Sequence, residues 1–165
     1  MGQNVMIRNF EPSDMNQLVK LARAHAKEMK VCDELPFDDV YYIKSLRSLL
    51  VDPINHCFVV EKEEHLIGYA IIFFHTKIWN PTMYGQMAFF YLMEGERNKW
   101  LADSLFNACV DKCKNVGAQF FESSVCAWTE NYKGSKDPIE RASTYFEHKK
   151  GEHCGNIFVH NLEEA

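Results

Sequence analysis

The stretch from Gly85 to Phe106, GQMAFFYLMEGERNKWLADSLF, constrains the fold more than any other part of the chain. A dense apolar run passes into a short polar turn and then into a helix whose apolar residues recur with helical spacing. Leu101, Leu105, Ala108 and Cys109 are expected inward, and Gly117 is placed to cap the C-terminus. A further apolar run, QFFESSVCAW, follows and predicts another strand. Strand, helix and strand within one sheet require a right-handed parallel crossover, here from Gln86 to Val125. The runs IIFFH, AFFYL and QFFES lack clean alternation, as central strands covered on both faces do.

The segments before this unit predict a strand, two helices and a hairpin. Val5 to Phe10 alternates apolar and polar residues, the pattern of a half-buried strand. Pro12, Ser13 and Asp14 are helix-start residues, with Ser13 or Asp14 the expected N-cap. Met15, Leu18, Leu21, Ala22 and His25 then share one stripe. Asp38 to Asp52 predicts a second helix with Val40, Ile43, Leu46, Leu49 and Leu50 inward and Pro53 beyond its end. Cys57–Val60 and Leu66–Phe74 flank polar residues and predict a hairpin. Lys77 to Gly85, with Asn80-Pro81, predicts a loop. Beyond the crossover, Thr129 to Asp137 predicts a polar loop, Pro138 opens a last helix, and Gly155 to Leu162 closes as a strand.

The 165 residues suffice for one domain with a real core, expected to span 1–165. The order β-α-α-β-β-β-α-β-α-β predicts an α/β or α+β sheet with helices on both faces. A net charge of -5 offers no broad basic face, which argues against generic nucleic-acid binding. No apolar run approaches bilayer length, and no membrane partner is expected. The N-terminus lacks a signal-peptide pattern, and Met6 stands where a myristoylation site wants Ser or Thr. Six scattered cysteines suit a reducing, cytoplasmic setting better than a disulfide framework. Cys109 and Cys113 share a helix face and are expected as buried apolar side chains. His148, His153 and Cys154 are potential metal ligands, but a solvated turn is the expectation there, and no metal site is assigned.

Several stretches together make the chain similar to the GNAT superfamily of acyl-CoA-dependent N-acyltransferases. Ile7, Arg8 and Asp14 resemble its opening strand-to-helix signature. LIGYAII around Gly68 resembles its hxGhh strand. LMEGERNKWLADSLF resembles its core motif, V-x-P-E-x-R-G-x-G-h-G/A. There Leu92 takes the valine place, Arg97 matches the arginine, Asn98 and Trp100 replace glycines, and Ala102 matches the final small residue. ASTYFEHKKGE resembles its closing helix, with Ala142 fitting, Phe146 at the tyrosine position and Tyr145 just before it. The resemblance implies a mixed, mostly antiparallel sheet around the parallel unit. The chain also resembles divergent GNAT-like proteins encoded by tailed phages, a setting in which the host cytoplasm would be its location.

The resemblance implies acetyl-CoA as acyl donor and an amine, on a small molecule or a protein lysine or N-terminus, as acceptor; it also leaves room for a homodimer. The pantetheine arm is expected along the backbone of Phe90, Tyr91 and Leu92, as an added strand pairs with an edge. The diphosphate is expected at the helix start, on amides from Asn98 through Lys99, Trp100, Leu101 and Ala102 to Asp103, with Arg97 adding a charged contact. Asn98 tolerates a left-handed backbone where glycine is usual. The Trp100 ring must point outward or else fill the cradle. Relatives often carry a glutamate on the strand ending at Leu92; here that strand offers Gln86 and Ala88. His75 and Glu122 are the substitute bases and Tyr145 the candidate acid for the thiolate. A structural histidine, a solvated glutamate and a buried tyrosine are the plainer accounts of these three. The acidic run Asp33, Glu34, Asp38 and Asp39 would attract a cationic amine, or simply be a solvated connector. Two functions stay open: N-acyl transfer, or a catalytically degenerate binding, inhibitor or virion-associated protein of the same shape.

Overall fold

The computed structural model describes residues 5–29, 36–124, 152–154 and 157–162. One seven-stranded sheet organises them, in the order β1-β2-β3-β4-β5-β7-β6. Its strands are β1 (Val5–Asn9), β2 (His56–Lys62), β3 (His65–Lys77), β4 (Asn80–Leu92), β5 (Phe120–Ser124), β6 (Glu152–Cys154) and β7 (Ile157–Asn161). Helices α1 (Met15–Glu28) and α2 (Asp39–Leu49) precede the β2–β3 hairpin, and α3 (Lys99–Asn115) crosses from β4 to β5. Every neighbouring pair is antiparallel except β4 and β5, which α3 joins in parallel as the crossover rule requires. The helix expected from Pro138, including Tyr145 and His148, lies outside the described residues. His153 and Cys154, expected in a turn, belong to strand β6, which pairs with β7.

The sheet separates two apolar layers. On one face α3 sets Leu101, Leu105, Cys109 and Cys113 against Ala70, Ile72, Met87 and Phe121. On the other, α1 and α2 set Leu18, Leu21, Ala22 and Leu46 against Val59, Tyr69, Ile71 and Tyr91. Both helical cysteines are buried and free, and burial pushes the Cys113 thiol up to about 12. A Cβ on Gly85 would lie 2.4 Å from Cys113 Sγ, so only glycine lets α3 sit so close to β4. Gly68 has the same role between strands, since a Cβ there would meet the Tyr91 carbonyl at 2.7 Å.

The opening signature acquires a physical meaning. Arg8 grips Asp14 through two nitrogens, at 2.7 and 2.9 Å, and bonds Glu61 across to β2. Asp14 also accepts the Glu11 amide at 2.8 Å, which starts the helix without Asp14 or Ser13 capping α1 by side chain. The Arg8 hydrogen bond holds the buried Asp14 carboxyl below its ordinary range.

Two local expectations change. Val40 is 77% exposed, not inward; α2 begins at Asp39, and its inward side chains are Tyr42 and Ile43, half-buried on the core, and the buried Leu46. The segment Lys77 to Gly85 is no loop: β3 and β4 run on as one long hairpin whose turn is Ile78 and Trp79. Pro81 is tolerated beside the turn, where the ladder slips register between Thr76 and Lys77. The β2–β3 turn is made by Glu63 and Glu64, both left-handed at φ 52° and 66°. A two-residue hairpin turn wants that backbone whatever the side chain.

Candidate active site

β4 has two different halves. Tyr84 to Met87 pairs with β3 on one edge and with Phe120 to Ser123 of β5 on the other. Then Ala88 bulges: Met87 faces Ile72 and Phe89 faces Ile71, leaving Ala88 unmatched. From there to Leu92 the strand keeps β3 but no described residue of β5 pairs with it. A bulge bends a strand and disrupts its ladder locally.

The register decides which backbone groups face the gap. The Met93 amide donates to the Ile67 carbonyl at 2.9 Å, and Gly68 stands opposite Leu92. Antiparallel ladders alternate, so Tyr91 turns its main chain toward β3 while Phe90 and Leu92 turn theirs toward the open edge. Of these outward groups, the Leu92 carbonyl is already taken by Arg97 Nε at 2.8 Å.

At the start of α3, Asn98 is extended (φ -146°, ψ 159°), not left-handed. Its side chain accepts the Leu101 amide at 2.9 Å, and its carbonyl accepts the Ala102 amide at 3.1 Å. The helix therefore consumes three of the six amides expected to face an anion, since the Asp103 amide falls within the i→i−4 ladder that begins at Lys99. Those of Asn98, Lys99 and Trp100 remain for one. The Trp100 ring is 64% exposed, so it adds nothing to the core. Asp103 is half-buried just beyond the first turn of α3. Arg97 bonds Glu28 of α1 and stands 5.6 Å from the centre of the Tyr91 ring.

The sheet brings two of the expected catalytic groups to one face. Phe73, Gln86 and Glu122 form a row across β3, β4 and β5. Phe73 packs with the α1–α2 layer, so this row looks to that side. Glu122 is only 6% exposed and pairs with Lys77 Nζ at 2.7 Å, contrary to the solvated account. It lies beside the last residues that β4 and β5 share. His75 occupies the next row outward, stacked on Tyr84, which stacks in turn on Phe120. A groove of about 590 Å³ opens on this face beside Phe73, lined also by Tyr41, Lys44, Ser45, Ser48 and Leu49. Among the described residues no three His, Cys, Asp or Glu side chains are grouped to hold a metal ion. None of their helices is long and apolar enough to cross a membrane.

A further cluster lies where α1 meets the end of β4. His25 stacks on Tyr91 at 4.7 Å, meets Phe89 edge-on at 6.2 Å, and shares a 2.9 Å hydrogen bond with the Tyr69 hydroxyl. The Tyr91 hydroxyl donates to Glu28 at 2.6 Å. Burial lowers the His25 pKa to about 4, with nearby Arg97 acting the same way against the pull of Glu28. Burial, and then the bond to Glu28, raises that of Tyr91. Sequence reasoning placed His25 on the inner stripe of the helix and left Glu28 out. The available signal was two titratable residues three apart at the end of that stripe.

A family model described as "Acetyltransferase (GNAT) family" matches residues 16–132. No curated protein matches the chain. Among solved structures, an N-acetyltransferase from Staphylococcus aureus Mu50 superposes with a TM-score of 0.74 at 16% identity, over 96% of this chain and 99% of that one. An acetyltransferase from Streptococcus agalactiae 2603 gives 0.70 at 12% identity, over 97% and 99%. A ribosomal-protein-alanine N-acetyltransferase from Brucella melitensis biovar Abortus 2308 gives 0.61 at 17% identity, over 87% and 89%. These likenesses establish the shared architecture, and with the family match over most of its length the chain belongs to the acetyltransferase (GNAT) family.

Proposed function

We propose that this protein transfers an acetyl group from acetyl-CoA to the amine of a small molecule or a protein, in the cytoplasm. The observation that carries the reading is the edge of β4 beyond its bulge, where Phe90 and the Leu92 N–H turn backbone groups away from β3 and no described residue of β5 pairs with them. A pantetheine arm carries amides that can complete such an edge as a strand would. The diphosphate would rest on the amides of Asn98, Lys99 and Trp100 at the positive end of α3. The outward Leu92 N–H is placed to polarise a thioester carbonyl and hold its oxygen as charge develops.

Glu122 is the group we assign to the acceptor's proton. It stands at the root of the gap, on the face with the groove. The carboxylate would take one proton from the amine, through water, as nitrogen attacks the carbonyl carbon. The carbon–sulfur bond then breaks, and the departing thiolate needs a proton, for which Tyr145 is the expected donor. Lys77 holds the Glu122 carboxylate in place through their 2.7 Å ion pair. His75, one row away, is the alternative base.

Acetyl-CoA at a hundredfold excess over its Kd should stabilise the fold by about 2.7 kcal/mol in thermal unfolding. Glu122→Gln should keep that stabilisation and lower kcat by about a hundredfold once an acceptor is in hand. No thermal shift at millimolar acetyl-CoA would end the donor assignment. The second reading, a non-transferring binding, inhibitor or virion-associated protein like the phage-encoded relatives, draws on Gln86 in place of an acid and on the engagement of Arg97 with Glu28.

A further inference from the structure

Arg97 lies between an acceptor-side helix and the expected donor cradle. Its Nε serves the Leu92 carbonyl and one terminal nitrogen serves Glu28, with the Tyr91 ring beside the guanidinium. Glu28 in turn receives the Tyr91 hydroxyl, with His25 and the partly exposed Phe89 beside it. Both members of the Arg97–Glu28 pair are about two-fifths exposed, 43% and 39%, and so open to water and to exchange of partners. Arg97 directly precedes the three amides left free at the start of α3. A diphosphate there carries more charge than one carboxylate and offers several acceptor oxygens in reach of a guanidinium.

We propose that Glu28 and the donor's diphosphate compete for Arg97, so that donor binding releases the Glu28 carboxylate to hold a cationic amine on the acceptor side. This rests on the transferase reading above. With the donor absent, Arg97 neutralises Glu28 and an ammonium gains little there. With the donor bound, Glu28 keeps only the neutral Tyr91 hydroxyl, and Phe89 gives the amine's carbon chain an apolar wall. The coupling is reciprocal, so donor and amine each tighten the other.

Calorimetric titration of the whole chain with CoA and, separately, with pantetheine tests the competition. Glu28→Gln should tighten CoA about two- to fivefold, the range of an exposed ion pair, and leave pantetheine unchanged. The gain should vanish on an Arg97→Met background and be absent in Glu94→Gln, which removes a nearby surface charge without touching Arg97. Butylammonium, followed by NMR, should bind CoA-loaded protein more tightly than free protein, with the difference lost in Glu28→Gln. If neither CoA nor pantetheine binds the native chain, the donor reading falls and takes this inference with it. If CoA binds and Glu28→Gln leaves it unchanged or weaker, or tightens it regardless of Arg97, the competition is overturned while the donor reading stands. Equal binding of butylammonium with and without CoA overturns the release of Glu28.

Discussion

The two halves of β4 make opposite use of one strand. From Tyr84 to Met87 it has partners on both edges, and Gly85 admits the Cys113 sulfur so that α3 lies flat against it. From Ala88 to Leu92 one edge has no partner among the described residues, and the side chains on the α1 face are titratable or aromatic. A paired strand is rigid support, whereas an unpaired edge is binding capacity. A single-residue bulge converts one into the other. The support half should therefore tolerate no added volume, and the open half should answer to pH and ligands.

Perturbing the support half should have the largest effect. Gly85→Val forces its side chain into Cys113 and Phe74, and should lower unfolding free energy by about 3 kcal/mol in urea titration. Gly85→Ala combined with Cys113→Ala should lose less than the sum of the single changes, since the second removes the atom the first strikes. Additive losses would show that α3 is not in that contact.

The open half should show itself next, through pH. The folded His25 pKa, about 4, lies below its unfolded value near 6.5. Below pH 6.5 the unfolded chain takes a proton that the folded one refuses, so stability falls with pH until about 4. The loss between pH 7 and 5 should be about 2 kcal/mol, and His25→Phe should flatten that part of the curve. The depressed Asp14 carboxyl acts in the same direction but at lower pH, below its ordinary value of 3.8. Asn98→Ala, beyond the strand's end, should cost about 1 kcal/mol by removing the Leu101 cap. Trp100→Gly should be smallest in its packing effect, with a further loss of up to about 1 kcal/mol from glycine's helix propensity. If CoA affinity appears only in that variant, the exposed indole had been covering the cradle.

The support half was largely legible in the sequence. Leu101, Leu105 and Cys109 announce the helix, Gly117 its end, and the crossover its handedness, because burial imposes periodicity on the residues it covers. The open half was legible in outline, through the run ending at Leu92 and the turn at Arg97. What escaped is who holds whom. A sequence does not reveal that Glu28, sixty-nine residues earlier, reaches the guanidinium of Arg97. For Glu122, a candidate base, the alternation of FESS made solvation the plainer account, yet it is buried and paired with Lys77. The Ile78–Trp79 turn hid behind Asn80-Pro81, which signals a break but here only terminates a ladder. Val40 is apolar and exposed, and nothing in its spacing told it from Ile43.

The Glu63–Glu64 turn gives experimenters a lever. Both residues hold a backbone that glutamate disfavours and that an Asn-Gly pair adopts readily. Replacing them should add roughly 0.5–1 kcal/mol, by analogy with other substitutions matched to their backbone conformation, without touching β4 or either helix beside it. A chain strengthened there could carry the damaging variants described above and still be folded when they are assayed.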